Sequence, residues 1–240
     1  MKKFALITGA SGGIGATTAL KLASEGWNLY LHYHSNIEKM NTLVQQLEAY
    51  NIELITIQAD LRTNEGVHKI IESIFQLHAI VICSGTSSYS LFTDLDENTI
   101  DDLLQIHVKS PLLLIKKLLP KLMKFHDSSI VIISSIWGQT GAACEVMYST
   151  VKGAQISFVK ALSKEMASNG LRINCVAPGA VKTSMMDRFT EEEIEEIESE
   201  IPLGRLAMPE EVSEAISFLL SSKSSYITGQ TLSVNGGWYI

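Results

Sequence analysis

Tyr148 and Lys152 stand four residues apart, and Ser135 precedes the tyrosine by thirteen. Residues four apart in a helix share a face, so the phenol and the ammonium are predicted to point the same way. A phenol with an unperturbed pKa near ~10 exchanges protons poorly at neutral pH, and a neighbouring cation stabilises its deprotonated form. Such a pair can give a proton to the oxygen of a ketone that is receiving hydride. A serine hydroxyl at a strand end would hydrogen-bond the same oxygen. An isolated pair of this kind is an ordinary surface tyrosine and lysine, so its meaning depends on what accompanies it.

What accompanies it is a glycine turn, Thr8-Gly9-Ala10-Ser11-Gly12-Gly13-Ile14-Gly15, between an apolar run and a helical stretch. Glycines let backbone approach a pyrophosphate, and the free N–H groups at the start of the helix favour its charge. A tight turn of no chemical purpose would not need strand, turn and helix in this order, so the spacing points to a dinucleotide.

The elements that must carry these residues are legible in the hydrophobic pattern. Residues 4–8, 28–33, 53–58, 79–83, 130–134, 172–176 and 231–234 read as buried strands separated by helix-length stretches. Near-continuous apolar strands such as Ile130-Val131-Ile132-Ile133 require cover on both faces. The expectation is a Rossmann-type doubly wound α/β fold, a seven-stranded parallel sheet with helices on both faces, in a single domain over residues 1–240.

Composition narrows the function. The 240 residues are 46% hydrophobic and 19% charged, with 19 Lys plus Arg against 26 Asp plus Glu, a formal charge of -7. This balance lacks the basic footprint of nucleic-acid binding. The richest apolar stretch, 112–119, is broken by Lys116 and Lys117, so no membrane span is expected. Met1-Lys2-Lys3 and the short apolar run after it do not read as a signal peptide, and Cys83, Cys144 and Cys175 encode neither a disulfide framework nor a metal site. A cytoplasmic location is expected. His32 and His34 share a strand face without further ligands, so no metal is expected either.

Together the TGxxxGxG turn, Ser135, the Tyr148-Ser149-Thr150-Val151-Lys152 motif, and Pro178-Gly179 followed by Thr183 resemble the short-chain dehydrogenase/reductase family over essentially the whole chain. Pro202-Leu203-Gly204-Arg205, Gly229-Gln230 and Asn235-Gly236-Gly237 resemble its 3-oxoacyl-carrier-protein reductases in particular. The resemblance implies an NAD(P)H-dependent oxidoreductase with Ser135, Tyr148 and Lys152 catalytic. Its cofactor residues would be Gly9, Ser11, Gly12, Gly13, Ile14, Gly15, Asp60, Leu61, Cys83, Ser84, Gly85, Tyr148, Lys152, Pro178, Gly179, Val181 and Thr183. Two positions depart from the family. His107 replaces an asparagine that helps hold a proton-relay water, and it would either hold the water itself or titrate in the pathway. Cys83-Ser84-Gly85 replaces Asn-Ala-Gly, with Cys83 read as a small buried residue.

After the second strand, His32-Tyr33-His34-Ser35-Asn36 offers no acid to bind ribose hydroxyls, which favours NADPH over NADH, with Ser35 and Asn36 contacting its phosphate. Two carriers of the ketone are open. A 3-oxoacyl thioester on acyl carrier protein fits the broad resemblance, yet reductases of that kind place arginines where this chain has His126 and Asn169. The segment 183–205, a substrate lid in relatives, is acidic, with eight acids among the fourteen residues 187–200. Such a run is either a solvated helix face or a surface that repels an acidic carrier and attracts a cationic substrate. Ser134-Ser135-Ile136-Trp137-Gly138-Gln139-Thr140-Gly141, Cys144-Glu145-Val146 and His107-Val108-Lys109-Ser110-Pro111 resemble the elongation factor P 5-aminopentanone reductases. These reduce a ketone on a modified lysine of that translation factor, and Glu145 and Trp137 become the expected substrate contacts. A purely binding, non-catalytic dinucleotide protein is the alternative of another class. The family resemblance also implies a homotetramer paired through the stretch 112–123 and the helix that begins at Tyr148.

Overall fold

The computed structural model describes residues 3–240; Met1 and Lys2, which open the short basic start, lie outside the described residues. The first half alternates β1 (Phe4–Thr8), α1 (Gly13–Ser24), β2 (Asn28–Tyr33), α2 (Ile37–Leu47), β3 (Leu54–Gln58), α3 (Asn64–Ser73) and β4 (Ala79–Ile82). Then come α4 (Glu97–Leu104), a π-helical turn at Gln105–Lys109, α5 (Ser110–Leu122), β5 (Ser129–Ile133), α6 (Trp137–Thr140) and α7 (Val146–Met166). The chain closes with β6 (Arg172–Pro178), α8 (Glu191–Glu200), α9 (Pro209–Leu220) and β7 (Thr231–Val234).

The seven strands form one sheet in the order β3-β2-β1-β4-β5-β6-β7, and every adjacent pair is parallel. The expected fold class is therefore the observed one. β1, β2, β4, β5 and β6 are buried throughout. Their side chains alternate between two cores: Leu6, Ile80, Ile130 and Ile173 face α3, α5 and α7, while Ile7, Val81, Val131 and Val176 face α1, α2 and α9. Sheet order reverses between β1 and β4, and at this switch point the carboxyl ends of the strands leave a crevice for a ligand. The described residues contain no helix long and apolar enough to cross a membrane.

α9 is held at both ends. Buried Arg172, at the start of β6, donates to the carbonyl of Leu219 in its last turn and to those of Ser221 and Ser224 beyond it, which satisfies acceptors the helix leaves open. At its first turn Pro209 lies against the glycine turn: a Cβ on Gly13 would come within 3.7 Å of Pro209 Cγ and 2.6 Å of Thr183 Cγ2.

Candidate active site

The glycine turn joins β1 to α1 at the switch point. Gly9 has φ +68°, and a Cβ there would lie 2.8 Å from Ser84 Cα, so this position excludes every other residue. The Gly9 N–H donates to His32 Nδ1 at 3.2 Å, and His32 Nε2 donates to the Ala59 carbonyl at 3.1 Å. Both ring nitrogens are thus committed to backbone, and burial lowers the His32 pKa to about 4. The histidine that could have suggested a metal instead braces the turn. Gly12 caps α1 without a side-chain hydrogen bond, which leaves the first-turn amides to meet an anion.

A cavity of about 680 Å³ lies over this turn, bordered by Ser11, Gly12, Gly13, Ile14, Gly15, Ser35, Asn36, Asp60, Leu61, Cys83, Ser84 and Gly85. It runs into a second cavity of about 660 Å³ lined by Ser135, Trp137, Glu145, Tyr148, Lys152, Pro178, Gly179, Val181 and Thr183. Ile14, Cys83, Gly85, Thr183 and Met185 border both, so the two form one cleft. The residues fit a dinucleotide: an amide-rich helix start for the pyrophosphate, an adenosine end near Asp60, and a nicotinamide end beside Tyr148.

Around that end the three expected catalytic side chains converge from β5 and α7. Ser135 and Tyr148 line the same cavity, and the Ser135 hydroxyl oxygen accepts from the Trp137 N–H at 3.2 Å. Lys152 Nζ donates to the Ile133 carbonyl at 2.8 Å and lies 5.4 Å from the Tyr148 ring centroid. Burial brings the Lys152 pKa down to about 8. Burial, then the Glu145 charge, push the phenol's pKa above the ordinary value, and Ser135 and Arg188 only partly oppose them. Lys152 is not among the groups that acidify it. Desolvation of the phenol is the largest influence on its pKa.

His107 is fully buried in the π-helical turn, its ring 5.8 Å from that of Tyr148 and edge-on to it. Nε2 meets the Thr86 carbonyl at 2.7 Å, Nδ1 has no partner, and the His107 carbonyl accepts from Gln155 Nε2. Burial, reinforced by Lys152, lowers its pKa to about 3, so the expectation that it titrates near neutrality is overturned. Cys83 is a protonated thiol, its pKa pushed up to about 12 by burial.

Asn36, expected to face a phosphate, turns its side-chain oxygen to the Lys39 N–H and caps α2. Lys39 and Arg62 line the same cavity, and neither was singled out from sequence. Arg62 grips the Asp60 carboxylate and holds its pKa below the ordinary range. Their signal was available, since each is the first basic residue after β2 or β3.

The segment 183–205 leaves and returns beside a bridge between Val181 and Ala207. Its helix α8 is capped by Thr190 and carries Glu193, Glu196 and Glu200 along the cleft. Trp137 and Trp238 stack edge to face at 5.1 Å on the same wall, so Trp238 packs on its own chain. Glu145 is not free for a substrate cation: its carboxylate pairs with Arg188 at 2.9 Å. Arg188 was hidden from sequence reading within the acidic run.

Comparison with known proteins agrees with this geometry. A family model described as Enoyl-(Acyl carrier protein) reductase matches residues 9–239. The uncharacterized oxidoreductase YmfI of Bacillus subtilis is 52% identical over 241 residues, covering all of both chains. The 3-oxoacyl-[acyl-carrier-protein] reductase FabG of Staphylococcus aureus is 33% identical over 244 residues, covering 100% of this chain and 99% of that one. A short-chain dehydrogenase/reductase structure from Brucella melitensis superposes with TM-score 0.91 at 30% identity over the whole of both chains. The angucycline C-6 ketoreductase LanV, solved with bound NADP, gives TM-score 0.92 at 23% identity over 98% of this chain and 95% of its own. The chain belongs to the short-chain dehydrogenase/reductase family. It is an NAD(P)H-dependent oxidoreductase that uses a nicotinamide dinucleotide and is similar to the FabG-type ketoreductases.

Proposed function

We propose that the protein reduces a ketone to a secondary alcohol with NADPH, and that its ketone is the 5-aminopentanone group on modified elongation factor P. When bound, the nicotinamide supplies the hydride. Tyr148 gives its proton to the carbonyl oxygen, Ser135 holds that oxygen through its hydroxyl, and Lys152 positions the ribose beside the phenol. His107 acts as a neutral acceptor, with Nδ1 available to a relay water. The observation that carries the substrate reading is the charge of the cleft: Glu193, Glu196 and Glu200 line it beyond Tyr148, and Arg188 beside them is already paired with Glu145. A substrate that ends in an ammonium meets an attractive field, whereas an acidic carrier protein is repelled.

NADPH is supported by Lys39 and Arg62 at the adenosine end, together with the lack of an acid after β2. The cytoplasm, where the translation factor works, and a homotetramer complete the proposal. A second reading, 3-oxoacyl-carrier-protein reduction, is favoured by the whole-length similarity to FabG. The deciding experiment follows NADPH oxidation with an acetoacetyl thioester and with elongation factor P carrying the ketone, at equal concentrations. Preference for the modified factor is expected; preference for the thioester would transfer the enzyme to fatty-acid synthesis.

A further inference from the structure

Glu145 precedes α7 at the N-cap position, yet its carboxylate makes no capping bond. It turns instead to Arg188, 43 residues further along, at 2.9 Å, and is only 6% exposed. Arg188 is fixed on three more sides. Nη1 donates to Ser87 Oγ at 3.1 Å, and the guanidinium carbon lies 5.4 Å from the Tyr89 ring centroid and 4.8 Å from that of Phe189. A half-buried ion pair held this way joins the segment before α8 to the helix that carries Tyr148, three residues after Glu145.

We propose that Arg188 is a positioning residue of the reductase, which pins the lid across the cleft and cancels the Glu145 charge beside the Tyr148 phenol. This rests on the assignment of Tyr148 as proton donor and is independent of the identity of the ketone carrier. The charged and titratable groups around the phenol are Glu145 just before α7 and Lys152 on it, Arg188, Glu193, Glu196 and Glu200 from the lid side, His107 from the π-helical turn, and Cys83 after β4. Among these Glu145 disfavours the phenolate and Arg188 opposes it. Glu145 is itself shifted upward by burial, so loss of its partner leaves a carboxylate that is charged at alkaline pH and protonated in acid.

Two readouts test this on the full chain with Arg188→Gln, Arg188→Lys, Glu145→Gln and the Glu145→Gln/Arg188→Gln double variant. In oxidation of a 3-hydroxybutyryl thioester with NADP+, phenolate must take up the proton. Arg188→Gln should therefore move the ascending limb of kcat up by about one pH unit, an approximately tenfold loss below that limb. The double variant should return the limb to its wild-type position, and Arg188→Lys should lie between. In thermal unfolding at pH 8, without any substrate, Arg188→Gln should melt below the double variant, and the gap should close as pH falls and the carboxylate protonates. A double variant no better than Arg188→Gln in both readouts would overturn the proposal. Failure of the enzyme to prefer modified elongation factor P would leave the unfolding comparison intact.

Discussion

Replacing Lys39 by glutamine removes a cation that lines the adenosine end of the cleft from the first turn of α2. Lys39 is exposed, so its attraction for a ribose 2′-phosphate is screened and falls in the range of surface ion pairs, ~0.2–1 kcal/mol. The phosphate carries roughly −1.5 to −2 charges at pH 7, which places the loss near the upper end. About 1 kcal/mol corresponds to a roughly fivefold weaker Kd for NADP+, with that for NAD+ unchanged. Ser35→Asp should act in the opposite sense on the two cofactors. A carboxylate after β2 repels the phosphate and accepts from ribose hydroxyls, so NADP+ weakens and NAD+ tightens. Calorimetric titration of both variants with NADP+, NAD+, 2′,5′-ADP and 5′-AMP reads the phosphate separately from the nicotinamide. The Lys39→Gln effect should shrink as salt rises. If both variants keep the wild-type ratio of NADP+ to NAD+ affinity, the charge argument for cofactor choice is wrong.

Tyr148→Phe should reduce turnover by at least a thousandfold while NADP+ affinity changes less than threefold; steady-state rates and titration on one preparation decide it. His32 and His107 stay neutral when folded, with pKa values of about 4 and about 3 against about 6.5 unfolded. The unfolded chain therefore binds more protons below pH ~6.5, and urea midpoints should fall steadily from pH 7 to 4. His107→Asn should flatten that decline and leave the pH–rate profile between 5 and 8 unchanged. Charge reversal at Glu196 and Glu200 should lower kcat/KM for the ammonium-bearing factor about tenfold and leave a neutral small ketone unaffected. Sedimentation at micromolar concentration should give a tetramer; a monomer would remove the assembly reading.

The strand boundaries were legible almost to the residue because a parallel sheet covered on both faces writes itself as short apolar runs. β6 exceeds its expected end by two residues, since the Cys175 to Pro178 stretch pairs with β7 and Gly179 donates to Val234. The cleft was legible where motif spacing fixes both partners, as with Tyr148 and Lys152. Contacts between distant elements were not. Nothing in local periodicity tells Glu145 that Arg188 will reach it, or Asn36 that its oxygen will cap a helix before it can meet a phosphate. The upward shift that burial gives the Tyr148 phenol was not legible either, because desolvation depends on how completely α7 and β5 close over it.

The two ends of α9 give the molecule a mechanical property. A twelve-residue helix spans about 18 Å. Clamped by Arg172 at one end and seated beside Gly13 at the other, it behaves as a strut between the floor of the sheet and the nucleotide crevice. Slack introduced at Arg172 would be transmitted to the rim of that crevice, nowhere near the proton donor. Substitutions in such a remote anchor would then register as a poorer grip on the dinucleotide with the chemical step intact, which makes the far side of this fold a place to tune cofactor residence time independently of catalysis.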